Sequence, residues 1–211
     1  MELFLTNPRI SAISLHLRGQ ICLGEPHNFR DGDYVIKVLV TGFGPFMEVT
    51  DNPSARVACD MEQPCQILEV SYQAVDVFVN RLDHASFDYW LMLGVASARP
   101  KVSLELFARN IRKGKDVLGN ENRGEIQAGG PLLLPSTLWT PEIAAELLVE
   151  RPKEVAASMD AGTYLCNYLL YRGLERFPTK RVGFMHVVNP DQVGIDRQVE
   201  ISRRALSLAG A

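Results

Sequence analysis

Ile36-Lys37-Val38-Leu39-Val40-Thr41-Gly42-Phe43-Gly44-Pro45-Phe46 opens as an apolar, β-branched run and closes in a glycine-rich turn. A strand that is apolar at successive positions is covered on both faces, and such strands belong to sheets with helices above and below. Shortly beyond, Asn52-Pro53 places a capping side chain before a proline at the first helical position, which predicts a short helix through Ala58.

The alternation continues toward the C-terminus. A strand is expected near residues 67–71, then a helix from the spacing of Val75, Phe78, Val79 and Leu82, then a buried strand over 89–93 ending at Gly94. Residues 101–110 alternate, with Val102, Leu104, Leu106 and Ala108 on one side and Ser103 and Glu105 on the other. They read as one strand with a polar face, and Glu105 is expected to point away from the core. Residues 112–130 are charged and glycine-rich, a long irregular excursion. Thr140-Pro141 opens an amphipathic helix to about 149, followed by a short strand over 155–158, a helix over 162–171 and a last strand over 180–188. Ile195, Val199, Ile201, Ala205 and Leu208 form the stripe of a closing helix. Strands and helices in this rhythm predict a three-layer α/β/α sandwich around a mostly parallel, mixed twisted sheet.

Residues 1–35 lack a sustained period and run through Gly24, Pro26 and Asp31-Gly32-Asp33. They are read as an N-terminal extension, either poorly ordered or translated from a start codon placed too early, ahead of a single catalytic domain over 36–211. Mass spectrometry of the naturally expressed protein separates the two. With 211 residues, 46% hydrophobic and 22% charged, the chain fits one core better than two.

A net charge of −3 supplies no cationic surface for phosphates or anionic lipids, so neither nucleic acid nor membrane is expected as a partner. No signal core precedes Asn7-Pro8, and no run approaches the roughly 20 apolar residues that span a bilayer. Cys22, Cys59, Cys65 and Cys166 form no C-x-x-C pair, and His16, His27, His84 and His186 no helical pair, so a reducing, cytoplasmic setting without metal or cofactor is expected.

Chemistry concentrates at Asp160-Ala161-Gly162-Thr163-Tyr164-Leu165-Cys166-Asn167-Tyr168, which follows a predicted strand and enters a predicted helix. A thiol in a first helical turn meets free N–H groups and a partial positive charge, which favour the thiolate and can receive an oxyanion. The plainer reading of one cysteine is a small buried apolar residue. A nucleophile needs a base and a group that orients the base. His186, near the carboxyl end of an apolar strand, and Glu105, on a polar strand face, are the candidates, although spacing alone does not bring the three together.

Val40-Thr41-Gly42-Phe43-Gly44-Pro45-Phe46, Asn52-Pro53, Gly129-Gly130-Pro131 with Ser136-Thr137-Leu138, Gly162-Thr163-Tyr164-Leu165-Cys166-Asn167 and Gly183-Phe184-Met185-His186-Val187 occur in that order. Together they resemble the signature segments of the pyroglutamyl peptidase I (pyrrolidone-carboxylate peptidase) family of cysteine peptidases. The resemblance runs from about residue 36 to the C-terminus. It implies a thiol protease of the cytoplasm that removes an N-terminal 5-oxoproline from peptides, uses no metal or other cofactor, and assembles as a homotetramer. By the same resemblance Cys166 matches the nucleophile, His186 the base and Glu105 the orienting glutamate. Arg99 falls where the family has an arginine close to the catalytic centre, here given an oxyanion or supporting role. Phe43, Phe46 and Asn52 match substrate-pocket residues, and Tyr164 and Leu165 are taken with them.

Three departures stand out. Gly94-Val95-Ala96-Ser97-Ala98-Arg99 replaces the family's Gly-Gln-Ala-Gly-Gly-Arg, Met47-Glu48 replaces two glycines, and Arg112-Lys113-Gly114-Lys115 replaces an acidic stretch. Val95 and Met47-Glu48 motivate an alternative, a degenerate paralogue that binds a different blocked N-terminus or small amide without efficient pyroglutamyl hydrolysis. A nucleotide loop at Gly42-Phe43-Gly44-Pro45-Phe46 is disfavoured, because the last glycine of G-x-G-x-x-G is missing and Pro45 removes a donor.

Overall fold

A computed structural model of the protein describes residues 35–47 and 49–211. The extension expected over 1–35, apart from Val35, and the Glu48 of the Met47-Glu48 departure lie outside the described residues.

The opening run forms β1 (Val38–Phe43), and Asn52 caps α1 (Pro53–Asp60) by accepting from the Ser54 N–H. At Gly42 a β-carbon would stand 2.5 Å from the Ser54 carbonyl oxygen, so only the bare glycine lets α1 lie this close to β1. Then come β2 (Cys65–Leu68), α2 (Tyr72–Arg81), β3 (Tyr89–Val95) and β4 (Val102–Glu105). β5 (Phe107–Arg109), β6 (Arg112–Lys115), β7 (Glu121–Gly124) and β8 (Leu133–Pro135) are short. They precede α3 (Pro141–Glu150), β9 (Val155–Ser158), α4 (Leu165–Arg176), β10 (Arg181–Val187) and α5 (Ile195–Leu208).

Among the described residues six strands form the main sheet in the order β2-β1-β3-β10-β4-β9. Every neighbouring pair is parallel except β10 with β4, which makes the sheet mixed as expected. Its two faces carry separate apolar clusters. Met185 and Val187 of β10 pack with Val57 of α1, Leu147 of α3 and Ile201 of α5. Val182 and Phe184, on the opposite face of the same strand, pack with Val75 of α2 and Leu169 of α4. The helices therefore divide into the two outer layers of a sandwich. Among the described residues no helix is long and apolar enough to cross a membrane.

The structure corrects two local expectations. Residues 101–110 are not one strand, because Leu106 changes partners: its N–H donates to the Ser158 carbonyl while its own carbonyl accepts from Ser136 N. β4 thus ends in the main sheet, and β5 pairs with β8 in a small one. The excursion over 112–130 contains an ordered antiparallel hairpin of β6 with β7, in which Lys113 faces Arg123 across the ladder.

Candidate active site

Two adjacent antiparallel strands and one helix entrance bring the candidate residues together. The β10–β4 register sets Phe184 opposite Glu105 and His186 opposite Ser103, so Glu105 and His186 share a sheet face one diagonal apart. His186 Nδ1 lies 2.7 Å from Glu105 Oε1. The alternation of β4 puts Glu105 on its polar side, yet it is wholly buried, contrary to expectation. A buried carboxylate needs partners. Arg99 supplies one, its Nη1 donating to the same Oε1 at 2.5 Å while its Nη2 donates to the Asp160 carbonyl at 2.7 Å. Arg99 thus engages the glutamate rather than lining the thiol cavity.

The α4 entrance presents the sulfur. Tyr164 is the N-cap and makes no side-chain capping bond, whereas Asn52, Ser71 and Thr140 all cap their helices. Cys166 sits in the first turn, where N–H groups have no acceptor within the helix. Asn167 fixes that turn to the loop after β5: it accepts from Arg109 N at 2.8 Å and donates to the Arg109 and Ile111 carbonyls, each at 2.8 Å. Only its place beside the cysteine hinted at this role. Tyr164 is held from outside, its hydroxyl donating to the Lys115 carbonyl at 2.9 Å and its ring against Gly114.

The thiol and the imidazole are coupled. Burial alone would push His186 down, but the negative charge and hydrogen bond of Cys166 and the bonded Glu105 carboxylate raise its pKa from 6.5 to about 9. Burial likewise acts to raise Glu105, and it is overridden by the hydrogen bond and charge of His186, with help from Ser158 and Arg99, so its pKa is lowered. Nδ1 bonded to the carboxylate leaves Nε2 as the nitrogen for the sulfur.

Gly94, paired with His186 across β3 and β10, makes room for the nucleophile. A β-carbon there would stand 2.9 Å from Cys166 Sγ and 2.7 Å from the tip of Phe184. Gly94→Ala is therefore expected to displace the sulfur and lower kcat/KM about a hundredfold, the effect of an ångström-scale misplacement. Steady-state kinetics beside a circular-dichroism spectrum check this.

Cys166 and His186 form part of the wall of a cavity of about 230 Å3. All five residues expected to bind substrate, Phe43, Phe46, Asn52, Tyr164 and Leu165, line it, together with Val95. Val70 and Ala161 line it too and were not anticipated. Asn52 is both helix cap and cavity wall: its amide donates to the Gly44 carbonyl at 2.9 Å and accepts from Ser54 N at 3.1 Å. A wider depression of about 620 Å3 bordered by Tyr72, Asp76 and Asp116 holds neither the thiol nor the imidazole.

The sequence profile of the pyroglutamyl peptidase family matches residues 36–208. The chain belongs to this family. The pyrrolidone-carboxylate peptidase of Vibrio vulnificus is 31% identical over 185 residues, covering 81% of this chain and 87% of that one. The pyrrolidone-carboxylate peptidase of Pyrococcus furiosus is 33% identical over 175 residues, covering 75% and 84%. Among solved structures, a substituted pyrrolidone carboxyl peptidase of Pyrococcus furiosus matches with a TM-score of 0.73 at 29% identity, over 82% of this chain and 98% of that one. The enzyme from Thermococcus litoralis gives 0.74 at 25% identity, over 83% and 93%. The α/β fold of this pyroglutamyl peptidase family member is accordingly shared across most of its described length.

Proposed function

We propose that Cys166, His186 and Glu105 act as one unit in a cysteine peptidase that removes the N-terminal pyroglutamyl residue from peptides. The observation that carries this reading is the buried 2.7 Å contact of His186 with Glu105 behind a thiol that opens on an apolar cavity. His186 Nε2 takes the thiol proton, and the sulfur attacks the carbonyl that follows the 5-oxoprolyl ring. N–H groups of the first turn of α4 receive the oxyanion. The imidazolium then passes its proton to the departing amine, leaving a 5-oxoprolyl thioester. Water, deprotonated by the same nitrogen, attacks the thioester and releases 5-oxoproline and the free thiol.

The cavity suits such a ring. Phe43, Phe46, Val70, Val95 and Leu165 offer apolar wall to a flat uncharged lactam, and among the described residues no carboxylate lines it to receive a protonated amine. The family's homotetramer, a cytoplasmic setting and a single catalytic unit over 36–211 belong to the same proposal. Hydrolysis of pyroglutamyl anilide with none of prolyl or glutaminyl anilide is the expected outcome. Equal cleavage of all three, or none of the first by folded protein at high substrate, contradicts it.

A raised imidazole pKa carries a pH dependence. The imidazolium that serves the leaving amine persists until about 9, so kcat/KM is expected to fall on the alkaline side near that value. For folding, the stability this shift confers is complete below about 6.5 and is lost as pH rises through about 9. Titration of the His186 ring by NMR, with the pH profile beside it, checks both. Replacing Cys166 removes the hydrogen bond and charge that hold His186 up and should bring the midpoint down.

A further inference from the structure

Glu105 carries an imbalance that its bonds to His186 and Arg99 do not explain. Both donors converge on Oε1, whereas Oε2 is buried and accepts no hydrogen bond. Such an oxygen is costly to leave bare, and a carboxylate held by one oxygen is free to turn about that contact.

The sheet register supplies a donor. β4 and β9 run parallel with Glu105 beside Ser158, and the Ser158 carbonyl accepts from Leu106 N at 2.8 Å, which locks the two strand ends together. Parallel partners project from the same face, so the Ser158 hydroxyl and the Glu105 carboxylate are neighbours. The hydroxyl has a poor alternative use. It donates to the Asp160 carbonyl at 3.3 Å, an oxygen that Arg99 Nη2 already occupies at 2.7 Å, and it accepts from Asp160 N at 3.2 Å. A hydroxyl proton rotates freely and can keep the Asp160 N–H bond while leaving that carbonyl.

We infer that Ser158 is a positioning residue of this site, whose hydroxyl turns from the Asp160 carbonyl to Glu105 Oε2 and so holds the carboxylate in the plane that His186 requires. Ser158 does not line the cavity that holds the thiol, and it acts through Glu105. Its proximity already contributes to holding Glu105 below the usual carboxylate range, beside His186 and Arg99, the charged groups that face that carboxylate.

The role rests on the catalytic reading of Glu105, but the contact itself is testable without turnover. Full-length protein carrying carboxyl-labelled glutamate is titrated by 13C NMR, with the Glu105 signal identified by its loss in Glu105→Gln. Removing a donor to the charged form raises the midpoint, so Ser158→Ala should titrate at higher pH than the parent and Ser158→Thr should titrate with it. In turnover, Ser158→Ala should lower kcat about tenfold at unchanged KM, with Ser158→Thr restoring it. If the alanine variant does not fold, Ser158→Thr against Ser158→Val, equal in shape and differing in the hydroxyl, gives the same comparison. An unmoved Glu105 midpoint in the variants lacking the hydroxyl overturns the inference, as does a threonine variant that behaves like valine. A shifted midpoint without any pyroglutamyl hydrolysis by the parent leaves the contact standing and defeats the peptidase reading instead.

Discussion

Cys166→Ala is expected to abolish hydrolysis of pyroglutamyl anilide, with a fall in kcat of about a millionfold, the scale seen when the nucleophile of a catalytic unit is removed. The loss is this large because no other group described in the cavity replaces the sulfur: its wall holds His186, a base without a nucleophile, and otherwise mostly apolar side chains. The fold should be indifferent. Cys166 is only partly buried, at the entrance of α4 rather than in the middle of either apolar cluster, and Asn167 holds that entrance through three hydrogen bonds of its own. Steady-state kinetics with a thermal melt on the same sample check the pair: vanished turnover with the melting temperature nearly unmoved.

Glu105→Gln should lower kcat about a thousandfold to ten-thousandfold with little change in KM, because the glutamate orients the base and does not line the cavity. The size follows from the double duty of Oε1, which meets His186 Nδ1 at 2.7 Å and Arg99 Nη1 at 2.5 Å. A neutral amide oxygen lacks the charge that draws two cationic donors to one point, and in the other amide orientation the NH2 faces both donors. The imidazole is then free to take the other tautomer or to turn. Stability should drop as well, since Arg99 loses its carboxylate. The Arg99 side chain is 30% exposed, so water screens that loss to about 1 to 2 kcal/mol, below the 3 to 5 of a fully buried pair. A urea melt gives the stability change, and separate kcat and KM values give the catalytic one.

Much of this site could be read before any coordinates. Local chemistry writes local structure: Asn52 and Thr140 cap the helices that their Asn-Pro and Thr-Pro pairs announced, and Cys166 falls in the first turn of its helix. Phe43, Phe46 and Asn52, picked out by the family segments, line one cavity with Tyr164 and Leu165. What escaped was decided by distant partners. Glu105 alternates with apolar neighbours as a solvated residue would, and only the antiparallel β10–β4 register, joining residues 81 apart in the chain, reveals that its polar face is covered. The break at Leu106 likewise depends on Ser158 and Ser136, which no window around 101–110 contains. Arg99 bonds to Glu105, but its direction follows from where the Asp160 carbonyl sits, which no reading of residues 94–99 contains. Val70 and Ala161 carry no chemical mark and join the cavity only because the loops after β2 and β9 converge on it.

The departures at Val95 and in the basic hairpin do not dismantle the geometry. Val95 adds apolar wall where the family has an amide, and the Arg112–Lys115 strand ties to the Cys166 segment by backbone, with Lys113 N donating to the Thr163 carbonyl at 2.6 Å and Tyr164 donating to the Lys115 carbonyl.

The most direct measurement is an acid quench of the protein during turnover of a pyroglutamyl ester, followed by mass spectrometry of its proteolytic peptides. Cleavage through a sulfur primed by the His186–Glu105 pair puts a 5-oxoprolyl thioester on the peptide containing Cys166, and on no other, with the adduct absent from Cys166→Ala. Rapid turnover with Cys166 unmodified at every quench time, or an acyl group carried by a different side chain, contradicts it.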